Sequence, residues 1–425
     1  MGAGNVGVVG LGGDLSLTQN ACFLWFSEIQ NGIKRMKLII FLGSGVSFAS
    51  ELPDVKMITE KLLNAPWFNH TDQNFYPGKH PSPYFEKDNL VPRIQDFLKI
   101  LKAFADEYLI NRRDTESTYE DLYFLCQQIS DNEKFEIDNP AIKPFIDDLN
   151  MKTEHLFDAD KLIFDLGDLA SRACDLIQCV IWHLLYATEP KGLELILELV
   201  ENTSQLDIVT LNHDSLIEQI LDNANIKYSD GFGETNGQVR YFDPNLYIPE
   251  NKINLFKLHG SLNWYRFRDE AEKNGRKITI DRYGMALNPD HWLCRDSNGN
   301  FINVLDGKPI FLAGSYNKML DYNFGIFKAI QNRFDSFLSH HNLMVMSGYG
   351  WNDRGINGRL FEWISSSLER RLILFHRNPE EEIKEKSKSA MWHRYDNLVE
   401  EGRLIPIKKW FSEIHFNEIK ELLLA

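Results

Sequence analysis

Two strings, LNHDSLIE at 211–218 and KLHGSLNW at 257–264, decide how this chain folds. Each begins where an apolar run ends. The run 206–211 hands off to Asn212, His213 and Asp214, and the run 253–258 to His259, Gly260 and Ser261. Two further runs finish alike: 38–42 in GSGVS at 43–47, and 343–346 in SGYGWND at 347–353. Short apolar runs followed by glycine or polar residues read as strands buried on both faces of a parallel sheet. Ligands of open parallel sheets bind just beyond the carboxyl ends of the strands. Strand ends that finish in glycines, an Asn, an Asp and a His therefore point to one pocket.

Working outward, the first and second of these strands are separated by a long block of different pattern. Residues 66–92 hold five prolines and several aromatics and read as irregular, a candidate lid. From 93 to 203 the apolar spacing is helical: Ile94, Phe97, Leu98 and Leu101; Leu122, Leu125 and Ile129; then Leu162, Phe164, Leu166, Leu169, Ala173, Leu176, Ile177, Val180 and Leu184. That block reads as a helical insertion beside the sheet. Strand–helix alternation returns at 206. Hairpin-like segments reach about 250, residues 268–310 read as polar with turn signals, and FLAGSYNK at 311–318 is another strand-to-loop junction. Helices over 319–338, 354–368 and 379–391 and a strand at 372–375 complete the expectation. The division is an N-terminal arm 1–35, a main domain 36–400 carrying the insertion 93–203, and a C-terminal extension 401–425.

The strand-end residues suggest chemistry by type. A Gly-rich turn between strand and helix lets backbone N–H groups approach a phosphate, so Gly43, Ser44, Gly45 and Ser47 are candidates for anion binding. Asn212 has no useful pKa, but its amide can orient a water or a sugar hydroxyl. Asp214 orders that loop or caps the helix starting at Ser215. His259 is the natural proton acceptor, since histidine titrates near neutrality. Ser261 is suited to bonding the loop backbone. Asp353 either meets a ribose hydroxyl or caps the helix that follows.

Composition narrows the class. Forty-six Lys and Arg against 61 Asp and Glu leave a formal charge of −15 with no long basic block, which disfavours direct nucleic-acid binding. Five cysteines occur, Cys22, Cys126, Cys174, Cys179 and Cys294, with no CxxC pair. That argues for reduced thiols in a cytoplasmic protein and against a four-cysteine zinc site, so no metal is expected. His291 and Cys294 in HWLC lack a second pair nearby. No run of about twenty apolar residues suggests a membrane span. Near the start, GAGNVG at 2–7 matches a dinucleotide pattern on paper but follows no strand. The stretch 21–26 is too short for a secretory signal. Residues 1–35 read as an appended arm dispensable for the pocket, with Phe23, Trp25 and Phe26 as candidates for self-association.

Together the motifs resemble the sirtuin-like (silent information regulator type) family. GSGVS is similar to its GAGxS loop, Thr210–Asp214 to its T-x-N-x-D string, KLHGS to its strand-end His-Gly motif, and SGYGWND to its late Gly-rich turn. They occur in the family's order over about 37–380. The resemblance implies a Rossmann-type α/β fold, a parallel sheet with a large helical insertion between the first and second motif strands. It implies NAD as substrate, with Asn212 and His259 catalytic and Gly348, Tyr349 and Asp353 toward the adenosine. ELPDVK at 51–56 resembles the family's G-I-P-D-F-R, so Asp54 either faces the nicotinamide carboxamide or caps the next helix. HRNP at 376–379 offers Asn378 to the adenosine. His213 fills the variable motif position and is given no catalytic role. The zinc-ribbon-free branch resembles bacterial anti-phage NAD hydrolases that act by abortive infection. The implied activity is therefore cleavage of the nicotinamide–ribose bond to ADP-ribose and nicotinamide. The implied setting is a homo-oligomer with a HerA-like ATPase partner. Deacylation, ADP-ribosyl transfer, or non-catalytic sensing of NAD or ADP-ribose are the alternatives.

Overall fold

The computed structural model describes residues 36–70, 74–79, 90–109, 116–136, 139–157, 163–186, 189–273, 275–287, 294–314, 318–388 and 390–424. The arm 1–35, Leu162 and His291 lie outside the described residues.

Six parallel strands form the main sheet: β1 (Lys37–Leu42), β2 (Gln205–Thr210), β3 (Ile253–Lys257), β4 (Leu343–Ser347), β5 (Arg371–Phe375) and β6 (Leu404–Ile407). Their spatial order is β3-β2-β1-β4-β5-β6. Strand order reverses between β1 and β4, and in a dinucleotide-type sheet that switch point opens the ligand crevice. The Rossmann-type architecture expected from the sequence is thus present, with helices inserted between the strands.

Successive side chains of a strand face opposite ways, and both faces here are covered. On one, Ile39, Phe41, Val209, Phe256, Met344 and Met346 pack under α8 (Gly325–Ser339) and α9 (Arg354–Ser365). On the other, Leu38, Ile40, Leu42, Leu206, Ile208 and Val345 pack under α6 (Glu194–Asn202) and α7 (Leu216–Asn223). The segment beyond 400 supplies β6 and a last helix, α10 (Phe416–Leu424), whose Phe416, Ile419 and Leu423 enter this second core.

The insertion has its own apolar core. It joins α1 (Val55–Asn64), α2 (Leu90–Leu109), α3 (Tyr119–Glu133), α4 (Lys143–Thr153) and α5 (Leu166–Leu184). Most of the helical spacing read from sequence lands there: Ile94, Phe97, Leu98, Leu101, Leu122, Ile129, Leu169, Ala173, Leu176 and Val180 are buried. Phe164 does not belong to it. Asp165 accepts from Asp168 N and starts α5 one residue later, leaving Phe164 64% exposed.

Three expectations are corrected. The stretch read as polar with turn signals, 268–310, contains most of a second, antiparallel sheet built on the hairpin Trp264–Lys273 and Arg276–Ala286. The helix expected over 319–338 is broken into Lys318–Asp321 and α8, where Gly325 takes φ +53°. The helix expected over 379–391 is a chain of short turns: Pro379–Glu381, Glu382–Lys386 and Ala390–Arg394.

Candidate active site

The glycines that end β1 and β4 let the two strand-end turns interlock. Gly43 N donates to Ser347 O and Gly45 N to Gly348 O, each at 2.9 Å. A Cβ on Gly43 would lie 2.4 Å from Gly348 O, and one on Gly348, where φ is +70°, 2.6 Å from Val46 N. Backbone packs on backbone, which only glycine permits. The amides of Gly43, Gly45 and Val46 are turned onto carbonyls, and the loop runs into the 3₁₀ helix Ser44–Ser50. The glycines thus act first to bring two strand ends together.

Above this junction lies a cavity lined from the sheet by Gly43, Asn212, His259 and Asp353 and from the insertion by Tyr119, Glu120 and Leu185. Ser44, Ser47, His213, Asp214, Gly348 and Tyr349 also line it. Gly45, Asp54 and Asn378 are not among the lining residues. Asp54 Oδ1 accepts from Met57 N at 2.7 Å and caps α1, the second of the two roles its sequence allows. Asn378 precedes the turn Pro379–Glu381, its N–H donating to His376 Nδ1.

Asn212 is held by the β1 loop. Its Nδ2 donates to Gly43 O at 3.2 Å and to Ser47 Oγ at 3.0 Å, and Ser47 Oγ donates to Asp214 Oδ2 at 2.9 Å. The Gly43 carbonyl fixes the amide orientation, because a flipped amide would set oxygen against oxygen. Asn212 Oδ1 is then buried with no partner among the described residues. Asp214 Oδ1 accepts from Leu216 N at 3.1 Å, tying the loop to α7. Beneath it the buried Lys257 donates from Nζ to Asp214 O and to Glu218 Oε1. Burial raises the pKa of both Asp214 and Glu218, and the Lys257 charge offsets part of that rise. Ser261 Oγ donates to His213 O at 3.3 Å and ties the two motif loops together.

His259 Nε2 lies 3.1 Å from Asp353 Oδ2 and 2.6 Å from Tyr322 OH, and Tyr322 OH donates to Asp353 Oδ2 at 2.5 Å. A carboxylate only accepts, so Nε2 carries the hydrogen and the neutral ring keeps its lone pair on Nδ1. Burial lowers the His259 pKa, the Lys318 charge lowers it further, and Asp353 opposes both. Burial pushes Asp353 upward, yet His259, Lys318 and the Tyr322 hydroxyl together hold it well below the usual carboxylate range. Asp353 is also the N-cap of α9, its Oδ1 accepting from Ile356 N. Its oxygens are committed to the helix and to His259. Tyr349 OH donates to Asn357 Oδ1 at 2.8 Å and to Asp353 O at 3.1 Å and braces the same turn.

Three site residues have no counterpart in the sequence motifs: Tyr322, Lys318 and Glu120. Lys318 Nζ donates to Glu120 Oε1 at 2.9 Å, an ion pair linking the insertion to the sheet across 198 positions. The junction at 311–318 marks where Lys318 lies. Thr118 and Asp121 form the capping box that starts α3 beside Glu120. Neither signal identifies a partner. Among the described residues no group of three or more His, Cys, Asp or Glu is placed to hold a metal, and Cys294 is buried in the second sheet. No helix among them is long and apolar enough to cross a membrane.

Residues 207–399 match the family model of the SIR2-like domain, just under half of the chain. No curated protein matches the sequence. Solved structures similar to it include a Sir2 homologue–NAD complex, at 12% identity over 94% of this chain and 95% of that one, TM-score 0.36. An ADP-ribose complex of a Sir2 homologue variant has 10% identity over 94% of each chain, TM-score 0.34. A Sir2 protein bound to acetylated peptide has 11% identity over 95% and 99%, TM-score 0.34. At such scores they carry no assignment of individual residues.

Proposed function

We propose that this pocket binds NAD and breaks its nicotinamide–ribose bond. The observation that carries the proposal is the pairing of Asn212 and His259 at adjoining strand ends in one cavity at the sheet's switch point. Asn212 presents an unpartnered oxygen, and His259 a neutral ring oriented by a carboxylate. As nicotinamide leaves, positive charge grows on the ribose. Asn212 Oδ1 accepts from a ribose hydroxyl or an attacking water and holds it at the anomeric carbon. His259 Nδ1 takes the proton released by that hydroxyl or by the acceptor, and Asp353 stabilises the resulting imidazolium. The SIR2-like match supports this shared step.

The ADP-ribosyl group then passes to an acceptor. The comparisons back the family's wider chemistry, deacylation and ADP-ribosyl transfer included, better than hydrolysis alone. The cleft between sheet and insertion gives such an acceptor a way in. A part in anti-phage defence, a closed homo-oligomer and a HerA-like ATPase partner rest on the sequence resemblance; solution mass with and without that partner tests the assembly. Incubating the protein with NAD, with and without an acylated lysine peptide, and separating the products by chromatography tests the chemistry. Free ADP-ribose with nicotinamide identifies water as acceptor. An acyl-dependent product identifies deacylation. No release of nicotinamide in either arm overturns the proposal.

A further inference from the structure

The hydroxyl of Tyr322 is a buried group that the mechanism above leaves unused. Tyr322 is 4% exposed and belongs to the apolar core on one face of the main sheet. A phenyl ring would fill the same space, so packing does not account for the oxygen. Among the described residues that oxygen bonds only the proposed base and its carboxylate, His259 and Asp353. The neighbours of the ring fix where the oxygen points. The ring lies at 27° to the His259 imidazole, with centroids 5.9 Å apart. The Arg359 guanidinium stands 5.6 Å from its centroid. Gly355, in the first turn of α9, makes room for it: a Cβ there would lie 2.9 Å from Tyr322 Cε2.

Counting hydrogens sets the direction of each bond. Burial and the Asp353 charge push the Tyr322 phenol well above its ordinary pKa, so the hydroxyl keeps its hydrogen. A carboxylate only accepts, so that hydrogen goes to Asp353 Oδ2. The hydroxyl oxygen then accepts from His259 Nε2–H. The direct separation of Nε2 from Asp353 Oδ2 is 3.1 Å, long for a charge-assisted bond, whereas the path through the hydroxyl runs in steps of 2.6 and 2.5 Å. The other Asp353 oxygen is committed to capping α9. We propose that Tyr322 is a positioning residue for His259: its hydroxyl couples Nε2–H to the Asp353 carboxylate, holds the ring with its lone pair on Nδ1, and stabilises the imidazolium that forms once Nδ1 has taken a proton. This inference rests on the proposal that His259 is the base in the cleavage of NAD.

The test removes the oxygen and keeps the ring. In the full chain, Tyr322→Phe is expected to lower kcat for nicotinamide release from NAD by about 10–10², the effect of one hydrogen bond to a charged group, and to change KM by less than about threefold. A double-mutant cycle separates positioning from structure. With His259 already replaced by Ala, Tyr322→Phe is expected to slow the residual release by less than about threefold, because no base is left to position. An equal loss in both backgrounds would make the hydroxyl structural and overturn the inference. So would an unchanged kcat in Tyr322→Phe, or a Tyr322→Phe chain that does not fold. Should His259→Ala leave no measurable release, nitrogen NMR of the histidine side chains decides, with the resonance lost in His259→Ala giving the assignment. The His259 Nε2 resonance is expected to move in Tyr322→Phe, and an unmoved resonance overturns the inference. Each of these outcomes in an active chain leaves the proposed function standing. Failure of the unmodified chain to release nicotinamide removes the inference together with that function.

Discussion

The two ends of the main sheet carry buried polar clusters on the same strands, and they differ in what is left over. At the amino end, Asp207 of β2 is fully buried and its carboxylate is occupied. Asn254 Nδ2 donates to Oδ1 at 2.8 Å, Gln205 Nε2 donates to Oδ2 at 3.0 Å, and His341 Nε2 lies 3.1 Å from Oδ2. At the carboxyl end, Asn212 and His213 continue that strand, and each has a buried polar atom with no partner among the described residues, beside a cavity. A buried carboxylate with both oxygens bonded fixes register and packing. A cluster with unbonded polar atoms beside a cavity is open to a ligand. Local polarity does not separate the two ends; what the unbonded atoms face does, since His341 Nε2 also lacks a hydrogen-bond partner among the described residues but faces the Asp207 carboxylate rather than the cavity.

The largest expected effect breaks the comparison at the carboxyl end. His259→Ala and Asn212→Ala should each cut nicotinamide release from NAD by about 10²–10⁴ with little change in melting temperature. Near-normal turnover in His259→Ala would remove the catalytic assignment. At the amino end the reverse is expected. Asp207→Ala should leave the catalytic parameters of the folded protein unchanged but cost about 3–5 kcal/mol of stability, as removal of one buried charged partner does. Denaturant titration reads that loss, and a neutral result would mean that the lower cluster is not structural.

The site is legible in the sequence only as far as strand ends are. The apolar runs predict β1 to β5, because a strand covered on both faces must be apolar along its length. The motif residues at their ends mostly arrive at one cavity. The second sheet is missed because polar residues of its long hairpin mask the alternation of Trp264, Arg266 and Arg268 with Tyr265 and Phe267. The dipeptide Asn274-Gly275 is the hairpin signal that was available there. Tyr322, Lys318 and Glu120 are missed for another reason. Each gains its role from a partner far along the chain, and no local pattern encodes that.

Two smaller effects sharpen the contrast. His213 and His259 have lowered pKa values in the folded protein, with burial the leading cause. As pH falls through about 6.5, the ordinary histidine value, the unfolded chain takes up protons at these positions before the folded chain does. Stability should therefore decline below about pH 6.5, and turnover should stay level from neutrality upward because His259 is already a free base. Melting curves and rates across pH 5–8 check both. An activity limb above the ordinary histidine range would contradict the lowered pKa of His259. Smallest of all, Asp54→Ala should cost about 0.5–2 kcal/mol as a lost N-cap and leave KM for NAD unchanged. A large rise in KM would return Asp54 to the nicotinamide.

By itself the sequence determined the parallel sheet, the helical insertion and the residue types at the strand ends, because burial and turn chemistry act over a few neighbouring residues. Only the tertiary structure decided which of those residues face the cavity. It turned the Gly43 and Gly45 amides onto the β4 turn, assigned Asp54 to a helix cap, and gave His259 its carboxylate in Asp353 and its hydroxyl neighbour in Tyr322. It also left Asn212 Oδ1 and His213 Nδ1 without partners among the described residues. The physical reason is the range of the interactions. Apolar periodicity is written along the chain, whereas a hydrogen bond between residues 94 positions apart exists only once the strands have stacked their ends together.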